Sequence, residues 1–157
     1  MKEITHDLFS VGLSFYATSL LHGLDASSIL MAVWLSFSVN SIIDVLGHVS
    51  RGGTPTRSWV THSIFTAPIW GGLVGCLTSE AIFGALTVAP VWTDIAFSTI
   101  IGSIIAAGHL LLDGLTEGGV YFTRRRMALA HFRYDNRPLN LGFIAAGIFL
   151  VAVSLGL

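Results

Sequence analysis

Five apolar runs separated by polar connections dominate the chain, and every basic residue falls in alternate connections. The runs cover 8–24, 27–47, 63–80 or 63–89, 92–113 and 139–157. A helix needs roughly 20 apolar residues to cross a bilayer, with a usable range of about 17–25. Lys2 precedes the first run. Arg51 and Arg57 separate the second from the third, and Arg124, Arg125, Arg126, Arg133 and Arg137 separate the fourth from the fifth. With five spans these positions share one side. The excess of Lys and Arg on cytoplasmic loops then predicts a cytoplasmic N-terminus. The expected fold is all-α: a polytopic membrane helical bundle of about five transmembrane helices, forming one membrane domain over 1–157 of the cell membrane.

Details within the runs refine this expectation. The first is short for a span and rich in Ser and Thr, so it should face protein and not lipid. The third contains Pro68 and Glu80. A mid-membrane glutamate needs a partner, so this span is expected to end near Ser79, with an outer amphipathic piece after it. Gly52, Gly53 and Pro55 favour turns between the second and third runs. The basic loop 116–138 is the one long polar stretch. Its middle, 124–132, is expected to be a short interfacial helix with arginines at headgroup level.

Composition excludes several function classes. A formal net charge of −1 does not suit a nucleic-acid binder. The single Cys76 rules out an internal disulfide framework and any multi-cysteine zinc or iron–sulfur site. Lys2 is offset by Glu3 and Asp7, and no clean cleavage site follows, so no signal peptide is expected.

In a chain with 11% charged residues, ionisable groups within apolar runs are costly and mark functional sites. Six such groups lie near the side that carries the basic residues: His6, Asp44, His48, His62, His109 and Asp113. Asp44/His48 and His109/Asp113 have i,i+4 spacing, which places each pair on one helix face. Imidazole and carboxylate together suit a divalent transition metal, zinc foremost. Six candidates allow one or two ions, or a smaller ligand set with supporting partners. A hydrogen-bonded Asp–His network without metal is the simpler alternative, and common depth of all six favours the metal. His6, His62 and His109 are the first-choice ligands, with Asp44 or Asp113 as the general base. Thr61 and Ser63 flank His62 in supporting roles. Ser63 lacks the G-x-S-x-G context of a nucleophile. His22 lies at the opposite end, and His131 lies in the polar loop.

Arg57 and the Arg124–Arg126 run admit two readings. They hold topology and attract anionic lipid, or they bind an anionic substrate beside the metal, a phosphorylated or lipid-linked molecule.

Thr5-His6, Asp44 to His48, Arg57 to Ser63 (RSWVTHS) and His109 to Glu117 (HLLLDGLTE) together resemble the membrane-bound, predicted metal-dependent hydrolases of prokaryotes. The resemblance runs to about Arg137. It departs in two places: the H-R-G run of many members reads Arg57-Ser58-Trp59 here, and a second acidic residue near Asp44 is missing. The resemblance implies a divergent member with hydrolase activity at a His/Asp metal site facing the cytoplasm. The alternative from a different class is a non-catalytic membrane subunit or scaffold of a larger assembly, with a structural or vestigial site. It would have membrane-protein partners or form a homo-oligomer, with small residues of the fifth run packing helices. A transporter ranks last, because the ionisable groups gather at one face and not at the midplane.

Overall fold

A computed structural model describes residues 1–51, 54–85 and 92–157, with backbone only for 49–51, 54–55 and 83–85. Five helices carry most of the chain: α1 (Glu3–Leu21), α2 (Ala26–Gly47), α3 (Thr66–Ala85), α4 (Trp92–Gly114) and α5 (Arg137–Ser154). Among them α2, α4 and α5 are long and apolar enough to cross a membrane. The fold is thus mainly helical, with apolar helices that point to membrane association.

Local chemistry explains several boundaries. Asp25 caps α2 by accepting from Ser28 N at 2.7 Å, while Asp25 N donates back to Ser28 Oγ at 2.9 Å. This reciprocal box satisfies two donors that a helix start leaves unpaired. Asn136 accepts from Leu139 N at 3.0 Å and starts α5, with Pro138 in the first turn. α3 does not stop near Ser79. It continues past an exposed Glu80 to Ala85, and the remainder of the longer expected run, 86–89, lies outside the described residues, as do Gly52 and Gly53.

Two short antiparallel hairpins add to the expected all-helical fold. β1 (His48–Arg51) pairs with β2 (Thr54–Arg57), and β3 (Val120–Phe122) pairs with β4 (Arg125–Met127). The second hairpin corrects the expectation of an interfacial helix over 124–132. Thr123 turns the chain at φ +56°. Beyond β4 the backbone bonds back to the end of α4, with Leu129 N donating to Gly114 O and Phe132 N to Leu115 O. The amides that a local helix would use satisfy the open carbonyls at the end of α4 instead.

α3 packs along α4 and α1 along α5, through small residues that let backbones touch. A Cβ on Gly102 would strike the carbonyl oxygen of Gly71, and one on Gly12 that of Gly147. The main core joins Leu35, Val39 and Ile43 of α2 to Ile101, Ile105 and Leu110 of α4. Thr5, Ser10, Ser14 and Thr18 of α1 are all buried. Ser14 Oγ lies 3.0 Å from Ser36 Oγ of α2, so part of the α1–α2 seam is hydrogen-bonded.

Gly102→Ala should therefore lower stability by about 1–3 kcal/mol, as overpacking does. Gly142→Ala, whose Cβ meets nothing within 4 Å, should not. Thermal unfolding of both variants in mild detergent checks this, and equal midpoints would remove the α3–α4 close-packing account.

Candidate metal centre

The six ligand-type residues converge at one end of the bundle. α1 supplies His6, α2 supplies Asp44 with His48 at its C-cap, and α4 supplies His109 and Asp113 one turn apart. His62 comes from the link between β2 and α3. Its backbone is held because Tyr121 N donates to His62 O at 2.8 Å and Ile64 N donates to Tyr121 O at 3.0 Å. Gly47 gives His62 room, since a Cβ there would collide with the ring and with Thr61.

Two imidazole nitrogens face two carboxylates. His62 Nε2 lies 3.4 Å from Asp44 Oδ1 and 3.6 Å from Asp113 Oδ2. His109 Nε2 lies 3.5 Å from Asp44 Oδ1 and 3.3 Å from Asp113 Oδ2. His62, His109 and Asp113 are almost fully buried, whereas the Asp44 side chain is 30% exposed. His62 Nε2, His109 Nε2 and Asp113 Oδ2 have no hydrogen-bond partner.

Neighbouring groups decide where each ring carries its proton. Thr61 Oγ1 donates its one proton to Ile43 O at 2.9 Å, so it accepts from His62 Nδ1 at 3.0 Å. Asn40 Nδ2 donates to Asp7 Oδ1 at 3.0 Å, which orients the amide and leaves Asn40 Oδ1 to accept from His109 Nδ1 at 3.1 Å. Both rings thus donate from Nδ1, and in the neutral form each turns an Nε2 lone pair towards carboxylate oxygen. A proton on Nε2 or a metal ion between the groups relieves the repulsion of lone pair and anion. A tetrahedral zinc site with bonds of about 2.0–2.1 Å would hold its ligand atoms roughly 3.3–3.4 Å apart. The four imidazole–carboxylate separations, 3.3–3.6 Å, lie at or slightly above that value.

The remaining members lie around this core. His6 Nε2 is 3.2 Å from Asp113 Oδ1, and its ring stacks on His109 with centroids 4.1 Å apart. The amino nitrogen of Met1 is also 3.1 Å from Asp113 Oδ1. His48, 40% exposed, lies 3.8 Å from Asp44 Oδ1. The ligand atoms of His6, His109 and Asp113 lie within 4.8 Å of one another, as do those of Asp44, His48 and His62. The cluster could therefore hold a metal ion. Burial lowers the His62 pKa, which keeps the ring neutral and able to coordinate at neutral pH.

Arg57 forms the wall between the centre and a cavity of about 660 Å³. Its Nη2 donates to Asp113 Oδ1 at 2.6 Å and its Nη1 to Gly119 O at 3.0 Å. His48, Trp59, Thr116, Tyr121, Arg126 and Tyr134 also line the cavity. The arginine run is divided: Arg126 borders the cavity, Arg124 lies over the Trp59 ring at 5.5 Å, and the exposed Arg125 pairs in register with Phe122. Thr61 contacts a ligand ring, whereas Ser63 is a turn residue that accepts from Phe65 N at 3.4 Å. Sequence reasoning missed Asn40 and Asp7. Asn40 carried a usable signal, because it lies one helical turn before Asp44 as a polar amide within an apolar run.

The fold and cluster define a helical protein with membrane-span candidates and a buried His/Asp centre at one end. The chain belongs to the family described as a protein of unknown function (DUF1286), whose model matches residues 1–112. That stretch contains His6, Asp44, His48, His62 and His109 and ends one residue before Asp113. No curated protein and no solved structure matches the chain.

If Asn40 sets the His109 tautomer, Asn40→Leu should weaken metal binding about 10- to 100-fold, as loss of a ligand's hydrogen-bond partner does. Competition against a chromophoric chelator measures this. Binding should also weaken on acidification, because protons compete for the imidazole nitrogens, with burial moving the His62 step below the ordinary imidazole range. Wild-type affinity in Asn40→Leu would remove the orienting role.

Proposed function

We propose that the protein is a membrane-embedded, metal-dependent hydrolase whose centre opens to the cytoplasm. One observation carries this reading: four ligand atoms meet at 3.3–3.6 Å, and three of them are buried without a hydrogen-bond partner. The resemblance to membrane-bound predicted metal-dependent hydrolases supports the same chemistry. His62, His109, Asp44 and Asp113 would hold one divalent ion, zinc by the ligand types, with His6 and His48 beside it. Two neutral imidazoles and two carboxylates balance a 2+ charge in a low-dielectric setting. A bound zinc ion supplies Lewis acidity and makes water available as a nucleophile near neutral pH.

The chain's own residues divide the other tasks. Asp113 Oδ1 is engaged by Arg57 and His6, and its Oδ2 is enclosed between the two facing histidines. Asp44 is more open, so its Oδ2 is the better proton acceptor. Arg57 and Arg126 give the cavity two positive charges beside the centre, and Trp59, Tyr121 and Tyr134 give it aromatic walls. That lining suits an anionic substrate, a phosphorylated or lipid-linked molecule.

Five spans with a cytoplasmic N-terminus accommodate this arrangement. The segments bearing Arg57 and Arg126 meet at one end of the bundle, where Tyr121 bonds with His62 and Ile64, and all eight basic residues fall in the connections assigned to that side.

Purified protein should carry about one equivalent of a divalent transition metal, as a four-ligand site would, and His109→Ala should lose it. Elemental analysis checks both. Less than about 0.1 equivalent in the wild type after growth with added zinc, unchanged in His109→Ala, would sink the proposal. Against chromogenic phosphate esters in mixed micelles, Asp44→Asn should lower kcat by about 10²–10⁴-fold, the usual loss on removing a general base.

A further inference from the structure

The β3–β4 turn and the start of α3 form another pocket, which adjoins the cavity at the metal centre and shares Trp59 with it. Trp59, Ser63, Phe65, Thr66, Thr123 and Arg124 enclose about 230 Å³ there. Its apolar surface is exposed and aromatic. Phe65 and Phe122 are 53% and 47% exposed, and their rings lie 5.4 Å apart. Trp59, 45% exposed, carries the Arg124 guanidinium over its ring. Arg124 and Arg125 are exposed, and among the described residues neither forms an ion pair with a carboxylate. An apolar floor under unpaired cations matches the two parts of an anionic phospholipid. Acyl methylenes would meet the aromatic rings, and a phosphate group would meet the guanidinium.

The position of the pocket agrees with such a ligand. It lies where the chain enters α3, and the Trp59–Val60 turn is tied to that helix. Thr66 Oγ1 donates to Trp59 O at 3.2 Å, and Trp70 Nε1 donates to Val60 O at 3.1 Å. Amphipathic aromatic rings concentrate at the headgroup level of membranes.

We infer that the pocket formed by Trp59, Phe65, Thr123 and Arg124, with Phe122 beside Phe65, binds an anionic phospholipid of the surrounding membrane. Bound lipid holds the β3–β4 turn at the bilayer surface, with Arg124 kept over Trp59. This inference does not depend on a metal or on hydrolysis.

Native mass spectrometry of the full chain in mild detergent tests it, using dioleoylphosphatidylglycerol and dioleoylphosphatidylcholine as competing probes. The wild type should retain the phosphatidylglycerol preferentially. Arg124→Gln should bind it about fivefold more weakly, the loss expected for one interfacial cation. Arg133→Gln, which removes an exposed arginine that pairs with Asp135 at 3.2 Å, should bind it as the wild type does. Equal retention of the two lipids would overturn the inference, as would equal losses in the two variants. Displacement by free glycerol phosphate at equal concentration would also overturn it, because the acyl chains would then contribute nothing.

Discussion

Two imidazole lone pairs and two carboxylates pressed together at one end of an apolar bundle set the electrostatic problem that the rest of the structure answers. Burying a carboxylate in a low-dielectric setting is costly unless a positive group stands beside it. Arg57 provides one such group on Asp113 Oδ1, but it leaves Oδ2 facing His62 and His109. The hydrogen bonds that the two rings donate to Thr61 and Asn40 add to the difficulty. They place the ring protons on the far nitrogens and expose both lone pairs to the anions. A structure that only needed to neutralise Asp113 would gain from the opposite tautomers, with N–H groups aimed inward. Donation from Nδ1 instead leaves both Nε2 atoms free to take a proton or a metal ion.

Holding that arrangement requires rigidity from several directions. α2 and α4 pack through Leu35, Val39, Ile43, Ile101 and Ile105, which fixes the spacing between Asp44 and the His109/Asp113 pair. The α1 helix brings His6 against His109 along a seam that includes polar contacts, where Ser10, Ser14 and Asn40 replace purely apolar packing. His62 has no helix of its own and depends on its backbone bonds to Tyr121. The hairpins therefore serve the centre as directly as the helices do. The first supplies Arg57 and ends beside His48. The second anchors His62 and carries Arg126 to the cavity.

Much of this was legible in the sequence because helical periodicity and hydropathy are local properties. The i,i+4 pairs Asp44/His48 and His109/Asp113 locate two helix faces, and the positions of His6 and His62 at the ends of apolar runs give their common depth. The hairpins were not legible, since short strands of three or four residues carry little periodic signal. The 124–132 segment shows the cause plainly. Its arginine-rich pattern suits an amphipathic helix, but the unsatisfied carbonyls at the end of α4 compete for its amides and win. The roles of Asn40 and Asp7 depend on contacts between helices, which spacing within one helix does not reveal.

The divided arginine run shows how short-range geometry separates tasks that sequence proximity merges. Three consecutive guanidiniums read as one positive patch. A turn at Thr123, with positive φ, starts the return strand, so Arg124 meets Trp59 while Arg126 stands at the cavity. The two charges have different neighbours, an apolar aromatic floor for Arg124 and a polar, partly enclosed wall for Arg126. A two-stranded hairpin supplies both within three residues because its turn and its strand face different surroundings. The same hairpin bonds to His62, so the shape of the cavity and the geometry of the ligand set are coupled through one short element. Movement of that hairpin would alter both together, which makes the segments between the helices, and not the helices alone, determinants of the shape of the centre.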